Sequence, residues 1–213
     1  EKNALESIKS KSSSLKIHQI SLLKLKKILK LNNIPRRIEI YDNSHIFGNQ
    51  SLGVMIVVNQ EGFDTRSYRK FNIKFNQLES YKSRSNDYYM LEEVLKRRLE
   101  KTNNDLNWPK PDIIVIDGGK GHFNIAKKII NYTQNKSIEL VAVAKGKNRN
   151  LGKEVLYYKN EIKILKKNDD LLFFIQRIRD EAHRFAIYSH RKKRNKESIK
   201  SVFDEMQNIG PKR

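Results

Sequence analysis

Apolar residues recur at two different periods along the chain, and the alternation between those periods predicts an α/β fold. Leu22, Leu25, Ile28 and Leu29 fall at helical spacing until Asn32, Asn33 and Pro35 interrupt it, which predicts a leader helix behind a Ser- and Lys-rich start. Three short runs of β-branched and aromatic residues follow, Arg37–Tyr41, Leu52–Asn59 and Thr65–Ile73, divided by turn chemistry at Gly48–Gly53 and Glu61–Gly62. They predict an antiparallel meander. From Asn86 to about Glu100 the helical period returns, with Leu91, Val94, Leu95 and Leu99 as the buried stripe and Arg97 and Arg98 outside it.

The run Ile113–Ile116 has no polar interruption, as expected of a strand covered on both faces, and leads through Gly118-Gly119 into a helix near Phe123–Tyr132. Glu139–Ala144 reads as a second buried strand, paired parallel with the first across that helix. Val155–Tyr158 and Ile162–Leu165 predict a small hairpin. A long helix then starts near Asn168, its core stripe formed by Leu171, Ile175, Ile178, Ala182 and Phe185, and a basic stretch at Arg191–Lys196 separates it from a short last helix. The expected division is a basic leader over 1–34, one α/β domain over 35–195 and a helical extension over 196–213.

Composition narrows the partners. Among 213 residues, 44 Lys and Arg stand against 24 Asp and Glu, a formal charge of +20 that predicts attraction to a polyanion, with nucleic acid first. Cysteine is absent, which excludes disulfides, thiolate metal sites and a cysteine nucleophile, so any metal must sit on oxygen or imidazole ligands. The longest apolar runs fall far short of the roughly 18 residues of a membrane span, and a reducing cytoplasm is the expected setting. The chain opens at Glu1 without Met and stops at Lys212-Arg213, so it reads as a segment of a longer protein.

Acids stand at the ends of several elements. Asp42 closes the first strand on the side of Ile38 and Ile40, where a carboxylate is costly unless a cation meets it. Asp117 closes the Ile113–Ile116 strand at its carboxyl edge, where open α/β sheets place ligands. Asp87 shares a helix face with Leu91 and Val94, and His183 sits at the border of an apolar stripe, with Arg179 at i−4 and His190 at i+7. Taken singly, each has a structural reading: turn aspartates, a first-turn acid favoured by the helix dipole, a histidine at a packing boundary. Taken together in a basic chain, hard carboxylate oxygens converging at a sheet edge suit Mg²⁺ or Mn²⁺. Gly118-Gly119-Lys120-Gly121 permits close approach of a phosphate to a helix start, and Lys120, Lys145, Lys147, Arg149, Arg184, Arg191, Lys192, Lys193 and Arg194 are candidate phosphate contacts. No G-x-x-x-x-G-K-[ST] segment occurs, which disfavours a nucleotide hydrolase; a DNA-binding module with structural acids is the other alternative.

Five stretches, Arg37–His45, Asn86–Met90, Pro111–Gly121, Gln176–Ala186 and Ile209–Arg213, resemble in order and length the UvrC family of bacterial nucleotide excision repair. The resemblance implies a ribonuclease H-like mixed sheet flanked by helices. It also implies catalytic roles for Asp42, Asp87, Asp117 and His183, a metal held by Asp42, Asp117 and His183, and incision of DNA on the 5′ side of a lesion. Ile209–Arg213 would begin a helix–hairpin–helix unit, and docking to UvrB would use parts of the protein outside this chain. His122 stands where the family usually has Gln, and Asn43 where an apolar residue is commoner.

Overall fold

The computed structural model describes residues 2–45, 51–73, 83–145, 154–159, 161–167 and 169–205. A leader helix α1 (Lys2–Leu29) precedes the strands β1 (Ile38–His45), β2 (Ser51–Asn59), β3 (Gly62–Phe63) and β4 (Arg69–Ile73). Helix α2 (Ser83–Asn104), strand β5 (Ile113–Asp117), helix α3 (Lys120–Tyr132) and strand β6 (Glu139–Lys145) follow. A hairpin of β7 (Glu154–Tyr158) and β8 (Glu161–Ile164) leads to α4 (Asp170–Glu205).

The strands form one mixed sheet in the order β3-β2-β1-β5-β6-β7-β8, with β4 beside β2. The pairs β1–β5 and β5–β6 are parallel and the rest antiparallel, so the parallel part lies at the centre, where helices cover both faces. Alternation of side chains divides the core in two. Ile38, Ile40, Val115 and Val143 pack with Leu22, Leu25 and Leu29 of α1 and with Leu171, Ile175, Ile178 and Ala182 of α4. Tyr41, Val57, Ile114 and Ile116 pack on the opposite face with α2 and α3. Burying an aliphatic side chain of this size contributes about 1.5–3 kcal/mol.

Three expectations require correction. The Thr65–Ile73 run is not one strand: Ser67 donates its hydroxyl to the Asp64 carboxylate, a short 3₁₀ turn forms over Thr65–Ser67, and pairing resumes only at Arg69. Arg191–Lys196 separates nothing, because α4 runs through it as one 36-residue helix; Lys and Arg are good helix formers and no Gly or Pro intervenes. Arg98 lies inside, wholly buried, with Nη2 2.6 Å from Oε1 of the equally buried Glu39 on β1. Tyr41 donates its hydroxyl to the other Glu39 oxygen at 2.7 Å, and Arg98 also donates to the Pro109 carbonyl. Each polar group of the pair is thus satisfied inside the α2 layer.

Gly53 allows that layer to come close. A methyl group there would stand 2.5 Å from Val94 Cγ2 of α2 and 3.2 Å from Asn43 Oδ1.

Candidate active site

Strand register builds the site. Tyr41 pairs with Ile116 at the last rung of the parallel β1–β5 ladder, so the next residues, Asp42 and Asp117, stand side by side. Asp117 ends β5, whereas β1 does not close at Asp42 as the sequence suggests but runs on to His45, paired with β2. The two-residue period turns both acids towards the face covered by α4, the face of Ile38, Ile40, Ile113 and Val115. Helix α4 buries Ile175, Ile178 and Ala182 on that face and brings two polar side chains to its border. His183 Nδ1 lies 3.6 Å from Asp42 Oδ2, with the His183 side chain 68% exposed and that of Asp42 13%.

One helical turn earlier, the nearly buried Arg179 places Nη2 2.8 Å from Asp117 Oδ1 and Nη1 2.9 Å from Glu154 Oε1. Glu154 begins β7 opposite Lys145. The guanidinium therefore bridges two strand-end carboxylates. Burial pushes the Asp42 carboxyl above its ordinary pKa, and the nearby Asp117 charge adds to the effect, while His183 and Arg179 oppose it. Asp42 Oδ2 is buried without a hydrogen-bond partner, as are Glu154 Oε2 and Arg179 Nε.

Asp87 approaches from the other layer. It sits half-buried in the second turn of α2, and its charge acts on His122 of α3 together with that of Asp117. Burial lowers the His122 pKa more than these two carboxylates raise it. Tyr88 meets the His122 ring edge-on at 4.9 Å between centroids, and a methyl group at Gly121 would collide with the Tyr88 hydroxyl. His122 thus lies within electrostatic reach of both Asp87 and Asp117, which pattern alone did not reveal. Arg179 was visible four residues before His183, but its partner Glu154 carries no local signal.

Among the described residues, no group of three or more His, Cys, Asp and Glu side chains is gathered closely enough to hold a metal ion. Asp42 and His183 are adjacent, whereas Asp117 is engaged by the Arg179 cation. The donor chemistry nevertheless fits a hard divalent ion, because Asp42 offers a buried carboxylate oxygen with no hydrogen-bond donor.

The candidate phosphate contacts are spread around this edge. Lys120 at the start of α3, Lys145 at the end of β6, and Arg184, Arg191 and Lys192 on α4 are exposed. Arg184 is also bonded to Glu181. Lys147, Arg149 and the Ile209–Arg213 segment lie outside the described residues, as do the side chains of Lys193 and Arg194. No helix among the described residues is long and apolar enough to cross a membrane.

A family model described as the UvrC RNAse H endonuclease domain matches residues 26–187. The UvrABC system protein C of Wolbachia sp. subsp. Brugia malayi is 42% identical over 212 residues, 99% of this chain and 33% of that protein. Its counterpart in Zymomonas mobilis subsp. mobilis is 41% identical over 217 residues, 100% of this chain and 32% of that protein. The chain thus spans about a third of the length of these relatives. A solved endonuclease V from Bacillus subtilis is 14% identical, with a TM-score of 0.38 over 74% of this chain and 83% of that one, too weak a likeness to transfer any residue.

Proposed function

Since the chain belongs to the UvrC ribonuclease H endonuclease domain family, we propose that it hydrolyses a DNA phosphodiester at the β1–β5 edge, with Asp42, Asp87, Asp117 and His183 as the acting groups. In the full-length protein this reaction would be the 5′ incision of nucleotide excision repair in the cytoplasm, with UvrB docked through other parts of the protein. One observation carries the reading: two acids stand side by side where the parallel pairing of adjacent strands ends, and one of them keeps a buried oxygen without a donor beside an exposed imidazole.

Asp42, Asp117 and His183 would hold Mg²⁺ or Mn²⁺, which when bound supplies an acidified water and neutralises charge on the phosphate. The residues themselves orient and move protons. Asp42, anchored in a central strand, holds its carboxylate still against the sheet, and its neighbour His183 presents the imidazole to solvent, where it can exchange a proton with a reacting oxygen. Arg179 holds the Asp117 carboxylate in place until a second cation competes for it. The exposed Lys120, Lys145, Arg184, Arg191 and Lys192 would grip flanking phosphates independently of sequence.

Nicking of plasmid DNA by the full-length protein with Mg²⁺ or Mn²⁺ tests this. Asp42→Asn and Asp117→Asn should each nearly abolish cutting, and near-normal rates in both would overturn the assignment. The engagement of Asp117 by Arg179 favours one rival, a DNA-binding module whose acids are structural. Calorimetric titration with Mn²⁺ separates the two: heat of binding that disappears in Asp42→Asn belongs to the nuclease reading alone.

A further inference from the structure

Beyond the β1–β5 edge, a cavity of about 580 Å³ opens between the outer strand β4 and the second half of α2, with Trp108 in its wall. The volume falls within the range of small-ligand pockets. Its charge is uneven. Arg69, Lys70, Arg97 and Lys101 stand against the carboxylates of Glu100 and Asp105, and the Lys70 ammonium lies over the Phe185 and Tyr188 rings. Arg97 is committed to Glu93 at 2.5 Å, and one Asp105 oxygen accepts the Asn107 backbone N–H. Arg69 spends Nη1 on two backbone carbonyls, and neither Arg69 nor Lys101 has a carboxylate partner among the described residues.

These two cations converge on the indole. Lys101 Nζ lies 4.3 Å and Arg69 Cζ 5.2 Å from the Trp108 ring centroid, and the buried Arg98 supports the same ring at 5.3 Å. Arg98 is pinned by Glu39 and cannot leave, whereas the exposed Lys101 side chain can swing aside at little cost. A half-buried aromatic plane, fixed from inside and bordered by two cations that have no carboxylate partner among the described residues, suits a ligand with a flat ring next to a phosphate.

We propose that this pocket binds one unpaired nucleotide of a DNA strand, with the base stacked on Trp108 and its phosphate held by Arg69 and Lys101. The occupant is taken to be a strand rather than a free nucleotide because a chain with a formal charge of +20 gains most from a polyanion, through many distant phosphate contacts. The base must be unpaired, since a base within a duplex already stacks on its neighbours and cannot lie on an indole. The proposal does not rest on the metal-site reading.

Trp108 is the single tryptophan of the chain, so its fluorescence reports on this pocket alone. Titration of the 213-residue chain with a short oligothymidylate in EDTA should give saturable quenching. Arg69→Ala and Lys101→Ala should each weaken it about fivefold to tenfold, and Trp108→Phe should weaken binding by anisotropy to a similar extent. Asp42→Asn should leave the quenching unchanged, which keeps failure here distinct from failure of the nuclease assignment. Three results would overturn the proposal: anisotropy that shows DNA binding with no change in Trp108 emission, thymidine monophosphate quenching as tightly as the oligomer, or a polyglutamate peptide of equal charge quenching equally well.

Discussion

Arg179 holds Asp117 through one guanidinium nitrogen, Nη2, at 2.8 Å from one carboxylate oxygen and 3.2 Å from the other, while Nη1 reaches Glu154. Removal of the arginine takes the shared cation from two acids, Glu154 nearly buried and Asp117 partly so. Arg179→Ala should therefore lower stability by about 2 kcal/mol, below the usual cost of breaking a buried pair because Asp117 retains some solvent contact. Mg²⁺ or Mn²⁺ should restore part of the loss. Urea melts with and without the ion check both statements, and a variant as stable as the parent would show that the bridge contributes nothing.

Asp42 gives the opposite sign. Its carboxyl titrates above its ordinary range in the folded state, chiefly through burial and then through Asp117, so the folded chain holds that proton more tightly than the unfolded chain does. Ionisation therefore costs stability as pH rises through the interval above the ordinary aspartate value of 3.8. In metal-free buffer Asp42→Asn should be more stable than the parent at pH 7, with the advantage fading as pH falls through that interval, even though the same substitution removes cutting. Thermal melts across pH would contradict this if the variant were the less stable at neutral pH.

His183 is mostly exposed, so His183→Ala should leave the melting curve nearly unchanged. DNA affinity should persist as well, since attraction is spread over many cations while proton transfer is local. Cleavage should fall by about 100-fold or more. Parallel gel-shift and nicking assays read the two quantities separately.

The Glu39–Arg98 pair is fully buried on both sides. Glu39→Ala strands a guanidinium in the α2 layer and should cost about 3–5 kcal/mol, whereas replacing both residues by Met should recover most of that loss. Urea denaturation of Glu39→Ala and of the double Met variant measures the loss and its recovery.

DNA binding should weaken steeply with salt, by at least about tenfold between roughly 50 and 200 mM NaCl, because phosphate contacts dominate. A flat anisotropy titration across those concentrations would show that some other contact carries the affinity.

The two acids were readable because each follows a strand-forming run, at Ile38–Tyr41 and Ile113–Ile116, and a strand's alternation fixes which way the next side chain points. The helix that carries His183 was readable from the apolar stripe around it. What could not be read was adjacency between distant segments. Nothing near Ile40 tells that β5, more than seventy residues on, will lie parallel beside it. Arg98 escaped for the same reason: helical periodicity puts it on the leucine stripe, seven residues after Leu91 and four after Val94, but its charge points to the surface, and only a glutamate 59 residues away on another element makes its burial tolerable. The break at Asp64–Ser67 escaped because a side-chain hydrogen bond, rather than a glycine or proline, ends the strand.

The contact between Gly53 and Val94 has a practical consequence. Val94 lies seven residues after Asp87 on the same helix, so the missing methyl group at Gly53 sets how far above the sheet that helix rests and, through it, how near Asp87 comes to the edge. Alanine at this one position acts as a shim: it adds a carbon and no charge, and it tilts or lifts a rigid rod that bears an acid about 10 Å along its axis. The fold thus contains an adjustable spacing between its two layers, through which the separation of Asp87 from Asp42 and Asp117 can be varied in small steps while every functional side chain stays native.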